Sequence, residues 1–194
     1  MDKTVAIPPE MIREYVIAGH GNLPRVEEML EKTPELLNVK YQWGENDWES
    51  AIQAAAHVGS VSVAEYLLSR GAPLEICTAA MLGRKADIES LLAADASLIK
   101  QNGAHGIPLL AHSAFNGDVG LFSYLKSLGA EAGVSYALHN AVASEHVELA
   151  KWILENTRPD LTWKNFEGKT ILAVAIEQGN QELQELLHSH RTVS

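Results

Sequence analysis

Hydrophobic positions along the chain recur in a two-helix pattern that is clearest from Ser50 to Ala72, SAIQAAAHVGSVSVAEYLLSRGA. Ile52, Ala55 and Ala56 share one face at three- and four-residue spacing, and Val63, Leu67 and Leu68 repeat that spacing for a second helix. Gly59 falls between them as a turn, and Gly71 and Ala72 close the unit. With Gly59 as the anchor, the pattern returns around Gly21, Gly83, Gly117, Glu145 and Gly179, so six stacked helix pairs are predicted.

The unit resembles the ankyrin repeat, whose helix-turn-helix reads T-P-L-H-x-A-A-x-x-G, then V-x-x-x-L-L, then G-A. Ile52, Ala55, Ala56 and Gly59 fill the first half here, and Val63, Leu67, Leu68, Gly71 and Ala72 the second. The resemblance implies an all-α, ankyrin-type helix-turn-helix solenoid with short β-hairpin fingers on some repeats. It also implies one domain over residues 1–194, with repeats at about 8–40, 46–72, 73–98, 102–130, 133–157 and 165–190. Each repeat then packs only on its neighbours.

The repeats differ in ways that predict the shape of the binding face. The first is divergent, with Val26, Met29 and Leu30 on its buried face and Thr33 in place of the closing glycine. The segment from Leu36 to Glu49 is long enough for a finger and carries Trp43 and Trp48, which either cover the first repeat or make contacts of their own. Gly83 follows Gly59 by only 24 residues, against a family period of about 33, so the third repeat has no room for a finger. Fingers are expected on repeats 2, 4 and 6, and stunted ones on 3 and 5. The tail HSHRTVS is expected to fray.

Charge narrows the partners. A net charge of -10 without a Lys or Arg cluster repels phosphate backbones, so nucleic acid is not an expected partner. No apolar run is long enough to span a membrane, no leader opens the chain, and one cysteine, Cys77, suits a reducing compartment; a cytoplasmic monomer is expected.

Eight histidines raise the question of a metal. His139 and His146 occupy family positions with structural hydrogen bonds, and His188 and His190 lie in the tail. His20 and His57 precede their turn glycines, His105 belongs to the fourth finger and His112 to the following helix. Helices packed about 10 Å apart put His57 and His112 on the order of 20 Å apart, beyond the reach of one ion, so neither a metal nor any other cofactor is expected. Cys77 reads as a small buried residue, and no nucleophile elbow or phosphate loop is present. No catalytic residue is assigned, and the chain is expected not to be an enzyme.

The expected function is recognition of a protein or peptide in the concave groove. Its contacts would be Trp48, Glu49, His57, Met81, Leu82, His105, Ile107, Phe115 and Asn116, the large apolar groups as anchors and Asp47, Glu49 and Asn116 for polar specificity. Without a third finger the groove is expected to hold a notch on the order of 20 Å wide. Met81 and Leu82 would floor it, with Trp48, Glu49 and His57 facing His105, Ile107 and Phe115, unless residues 40–47 plug it. A small-molecule pocket around Glu49, His57, His105 and His112, open to weak acid-base chemistry, is the alternative.

Overall fold

A computed structural model describes residues 7–191. The reading of a missing leader, and the last three residues of the tail, fall outside that range. Six helix pairs follow one another: Pro9–Gly19 (α1) with Leu23–Lys32 (α2), Ala51–Val58 (α3) with Val61–Ser69 (α4), and Ile76–Met81 (α5) with Lys85–Ala94 (α6). Then come Leu109–Ser113 (α7) with Val119–Ser127 (α8), Val134–Ala143 (α9) with Val147–Asn156 (α10), and Ile171–Gln178 (α11) with Gln181–Arg191 (α12). His188, Ser189 and His190 belong to α12, so the helix continues through the part of the tail expected to fray.

Odd-numbered helices pack side by side as an inner row, and α8, α10 and α12 pack as an outer one. The helices are short because local signals stop them. Ser50 caps α3 in a reciprocal box with Gln53, and Gly59 ends it at φ 74, a conformation that favours glycine. All six predicted turn positions have positive φ, including Glu145 at 59°. Alanines on the inner row let neighbours approach closely, with Ala54, Ala55, Ala79, Ala80, Ala111, Ala114, Ala137 and Ala141 all buried. Side chains then stitch successive repeats together. Asn116 donates to Ala80 O at 2.6 Å, Asn140 to Ala111 O at 2.9 Å, and the His146 ring contacts Phe115 O at 2.8 Å.

Fingers open the second, fourth and sixth repeats. The second is a hairpin of Lys40–Gly44 (β1) and Asp47–Ser50 (β2), antiparallel, with an irregular register between Gln42 and Gly44. The fourth and sixth are single bridges, Asn102 to Pro108 and Lys164 to Thr170. At the third repeat Gly71 and Ala72 run into α5 without a bridge among the described residues. There α5 has only six residues, and α3 reaches α7 past it.

Candidate functional site

The centre of interest forms where the hairpin crosses α1 and α3. Alternation along β2 puts Asp47 and Glu49 on one face, and the Glu49 side chain is completely buried. Trp43 sits at the register irregularity of β1, a feature that re-aims side chains, and its indole N–H donates to Glu49 Oε2 at 2.7 Å. The other oxygen, Oε1, has no aligned hydrogen bond.

Three imidazoles surround that oxygen. His57 Nε2 is 2.7 Å from Oε1, His105 Nε2 is 3.3 Å away and His20 Nε2 3.8 Å away. His57 lies close enough to touch the carboxylate, yet its aligned partner is His20 Nε2 at 3.1 Å. A close helix contact puts those two rings together, since a Cβ on Gly19 of α1 would stand 2.6 Å from Ala51 O of α3. His105 arrives from the fourth finger, where Asp47 takes its backbone N–H at 3.3 Å and its Nδ1 at 2.8 Å. It does so at φ 57, a left-handed conformation that is costly for a side-chain-bearing residue. Burial pushes the Glu49 carboxyl up, but the 2.7 Å contact and charge of His57, with His20 and His105 behind it, outweigh that and hold it below the usual carboxylate range.

This geometry corrects several expectations. No 20 Å notch exists between the second and fourth fingers, because they touch through Asp47, Glu49 and His105. Residues 40–44 form one strand of that contact instead of plugging a gap. Met81 is core, 1% exposed, and Leu82 packs half-buried beside it, so neither floors a groove. Asn116 is bound at both ends of its amide, to Ala80 O and to the Asp118 N–H, which makes it a stitch between repeats. His112 is buried with Nδ1 3.1 Å from Pro108 O and takes no part in the cluster, which removes one corner of the small-molecule alternative. The dispersal of histidines over repeats fails for His20, His57 and His105. His20 and Trp43 are the residues the sequence reading left out of the site. A signal for His20 was available, since His20 and His57 both precede the turn of consecutive repeats.

Of the remaining contact candidates, Trp48 projects half-exposed from the opposite face of β2, Ile107 is buried beneath the fourth finger, and Phe115 packs over Gly59. Cys77 is buried and its thiol is pushed up to about 12, first by burial and then by the Glu75 charge, in keeping with an inert side chain.

From the histidine cluster a trough of about 610 Å³ runs along the inner helices toward the sixth finger. Val58, Ile107, Phe115, Tyr136, Val174 and Phe166 supply its apolar walls, and His139 and Asn140 its middle. His139 is held in place, with Nε2 3.3 Å from Trp163 O and its ring edge-on to the Trp163 indole. Phe166 stands 91% exposed at the tip of the sixth finger, against 56% for Ile176, the next most exposed large apolar side chain among the described residues.

Stacked helix pairs with fingers over a concave trough define a helical-repeat scaffold. Residues 109–193 match the family described as ankyrin repeats in three copies, and residues 47–79 match a single ankyrin repeat. The chain belongs to the ankyrin-repeat family, whose members are in general protein-interaction scaffolds. No curated protein matches the chain. His20, Trp43 and His105 all lie outside the two matched segments, so the cluster is built in part from stretches that the family models do not match. No helix among the described residues is long and apolar enough to cross a membrane.

Proposed function

We propose that the protein is a monomeric, non-catalytic ankyrin domain that binds an apolar or aromatic segment of a partner protein in the trough between its fourth and sixth fingers. The observation that carries this reading is Phe166, an aromatic ring left 91% exposed above an apolar trough of about 610 Å³. Leaving such a surface uncovered favours association, and aromatic anchors beside a recess are where interface energy concentrates. A net charge of -10 favours a neutral or basic contact face on the partner and disfavours nucleic acid. The reducing compartment suggested by a lone, buried Cys77 suits a cytoplasmic scaffold.

Binders selected from a random peptide library against the full chain provide the test. Phe166→Ala and Tyr136→Ala should each weaken the selected peptides about 10-fold or more. Val61→Ala, at an exposed position of the outer helix α4, should leave affinity unchanged. Equal affinity for all four proteins would dismiss the trough as the binding face.

A further inference from the structure

The geometry points to a divalent transition-metal site of the zinc type, held by His20 Nε2, His57 Nε2 and Glu49 Oε1 and closed by His105 Nε2. The first three residues bring their ligand atoms within 4.8 Å of one another. Their separations of 3.1 Å between the nitrogens, and 2.7 and 3.8 Å from oxygen to nitrogen, bracket the edge of a tetrahedron of ligands around zinc. That edge is about 3.3 Å for bonds of about 2.0 Å. His105 stands outside that group of three; its Nε2, 3.3 Å from the same oxygen, is the further ligand atom assigned to the fourth corner. Two or more imidazoles with one carboxylate suit zinc and its neighbours and do not suit magnesium or calcium.

Proton placement leads to the same conclusion. His20 Nδ1 is 3.2 Å from the carbonyl oxygens of Val16 and of Ile17, which can only accept, so that nitrogen carries the proton. His105 Nδ1 faces the Asp47 carboxylate at 2.8 Å and carries its proton for the same reason. In the neutral rings Nε2 is then a lone pair on both residues, and both lone-pair nitrogens lie beside a fully buried carboxylate oxygen that has no aligned hydrogen bond. A buried anion facing lone pairs requires a positive charge among them. A divalent cation supplies it and satisfies the grouped atoms of His20, His57 and Glu49 at once, with His105 Nε2 beside them. The outer contacts fit as well: backbone carbonyls on His20, Asp47 on His105 and the Trp43 indole on Glu49 Oε2 are the kinds of partner that orient metal ligands.

With His105 Nε2 as the fourth ligand the site is closed and structural. The ion would pin α1, α3 and the hairpin to the fourth finger, across the repeat that lacks a finger of its own. It would also fix the end of the trough, since His20, His57 and His105 line it. The site does not depend on what occupies the trough, because peptide binding and ion binding have separate readouts.

The experiment strips the full-length protein with EDTA and titrates it with Zn²⁺ by calorimetry and against a chromophoric chelator, with Co²⁺ as the spectroscopic probe. One ion per chain is expected, with the visible absorption of tetrahedral cobalt and a melting temperature that climbs with the logarithm of free zinc. Asp47→Asn should weaken zinc by about 10-fold to 100-fold, the usual cost of losing an outer partner, and His57→Ala by more. His105→Gly guards against misfolding, since glycine suits its left-handed backbone; circular dichroism should be native and the cobalt absorption lost. A chain with His188→Ala and His190→Ala should bind as the parent does. Zinc binding that disappears with that tail pair, or parent and His57→Ala proteins of equal affinity, or identical melting with EDTA and with zinc, would each overturn the assignment and leave a protonated imidazole–carboxylate network in its place.

Discussion

Substitution at the repeat turns separates two physical effects that ordinarily arrive together. Gly59, Gly83 and Gly117 occupy equivalent turns at φ 74, 69 and 74. An alanine at any of the three carries the left-handed backbone cost, about 1 to 2 kcal/mol. What its Cβ would meet differs. At Gly83 the nearest atom is Asn116 Cγ at 3.6 Å, an ordinary contact. At Gly59 it is Phe115 Cδ1 at 2.6 Å, and at Gly117 it is His146 Nδ1 at 2.6 Å, so in both cases the neighbour must move. His146 is further restrained by its 2.8 Å contact with Phe115 O. Overpacking of this sort costs about 1 to 3 kcal/mol. Gly83→Ala should therefore lose about 1 to 2 kcal/mol, and Gly59→Ala and Gly117→Ala about 2 to 5 kcal/mol, Gly117→Ala the most. The reciprocal change is Glu145→Gly, at φ 59 in the fifth repeat. Relief of the backbone outweighs the added freedom of the unfolded glycine, for a gain of about 0.5 kcal/mol. Urea unfolding followed by far-ultraviolet circular dichroism measures all four. If Gly83→Ala is as damaging as Gly117→Ala, the steric reasoning fails; if Gly59→Ala unfolds with the parent, the turn assignment fails with it.

Acid should weaken the fold through His112. Burial, assisted by the charge of His57 and opposed by the Pro108 carbonyl, lowers its pKa from 6.5 to about 4, so the unfolded chain takes up the proton first as pH falls. Stability is complete above about 6.5 and is lost toward about 4, by about 3 kcal/mol at the bottom of that window, and His112→Gln should flatten that part of a urea-midpoint pH profile. Ser50→Ala removes half of the capping box on α3 and should cost about 1 kcal/mol by the same unfolding measurement, while Ser50→Thr should retain most of it. Cys77, whose thiol is buried and pushed up to about 12, should react with a thiol reagent only as fast as the native chain opens; labelling at the rate of a free thiol would contradict its placement.

The turn anchors, including the unconventional Glu145, were legible because each is a local event: an apolar face at helical spacing, a break, and a second face. The fingers were legible by length, since a stretch such as Leu36 to Glu49 has residues to spare and the join from Ala72 to α5 does not. The candidate site was legible only in pieces. Glu49, His57 and His105 were each picked out, but for opposite walls of an open notch. His20 was placed at the correct turn and then set aside, because its neighbour is 37 residues away in sequence. Trp43 gave no signal beyond its type, since its aim depends on an irregular register between two strands.

The sequence by itself determined a helical-repeat solenoid, which repeats carry fingers, and which residues occupy the turns, all consequences of short-range periodicity and backbone preference. Only the tertiary structure decided what the missing third finger does. A uniform helix spacing predicts that a missing finger leaves a gap; α5, however, has six residues, and α3 reaches α7 past it. The fourth finger therefore lies against the second, with Asp47 holding His105 at 2.8 Å. That contact turns two walls into one cluster and buries Glu49 among three histidines. Where one finger meets another is a property of how the helices pack, so no pattern along the chain contains it.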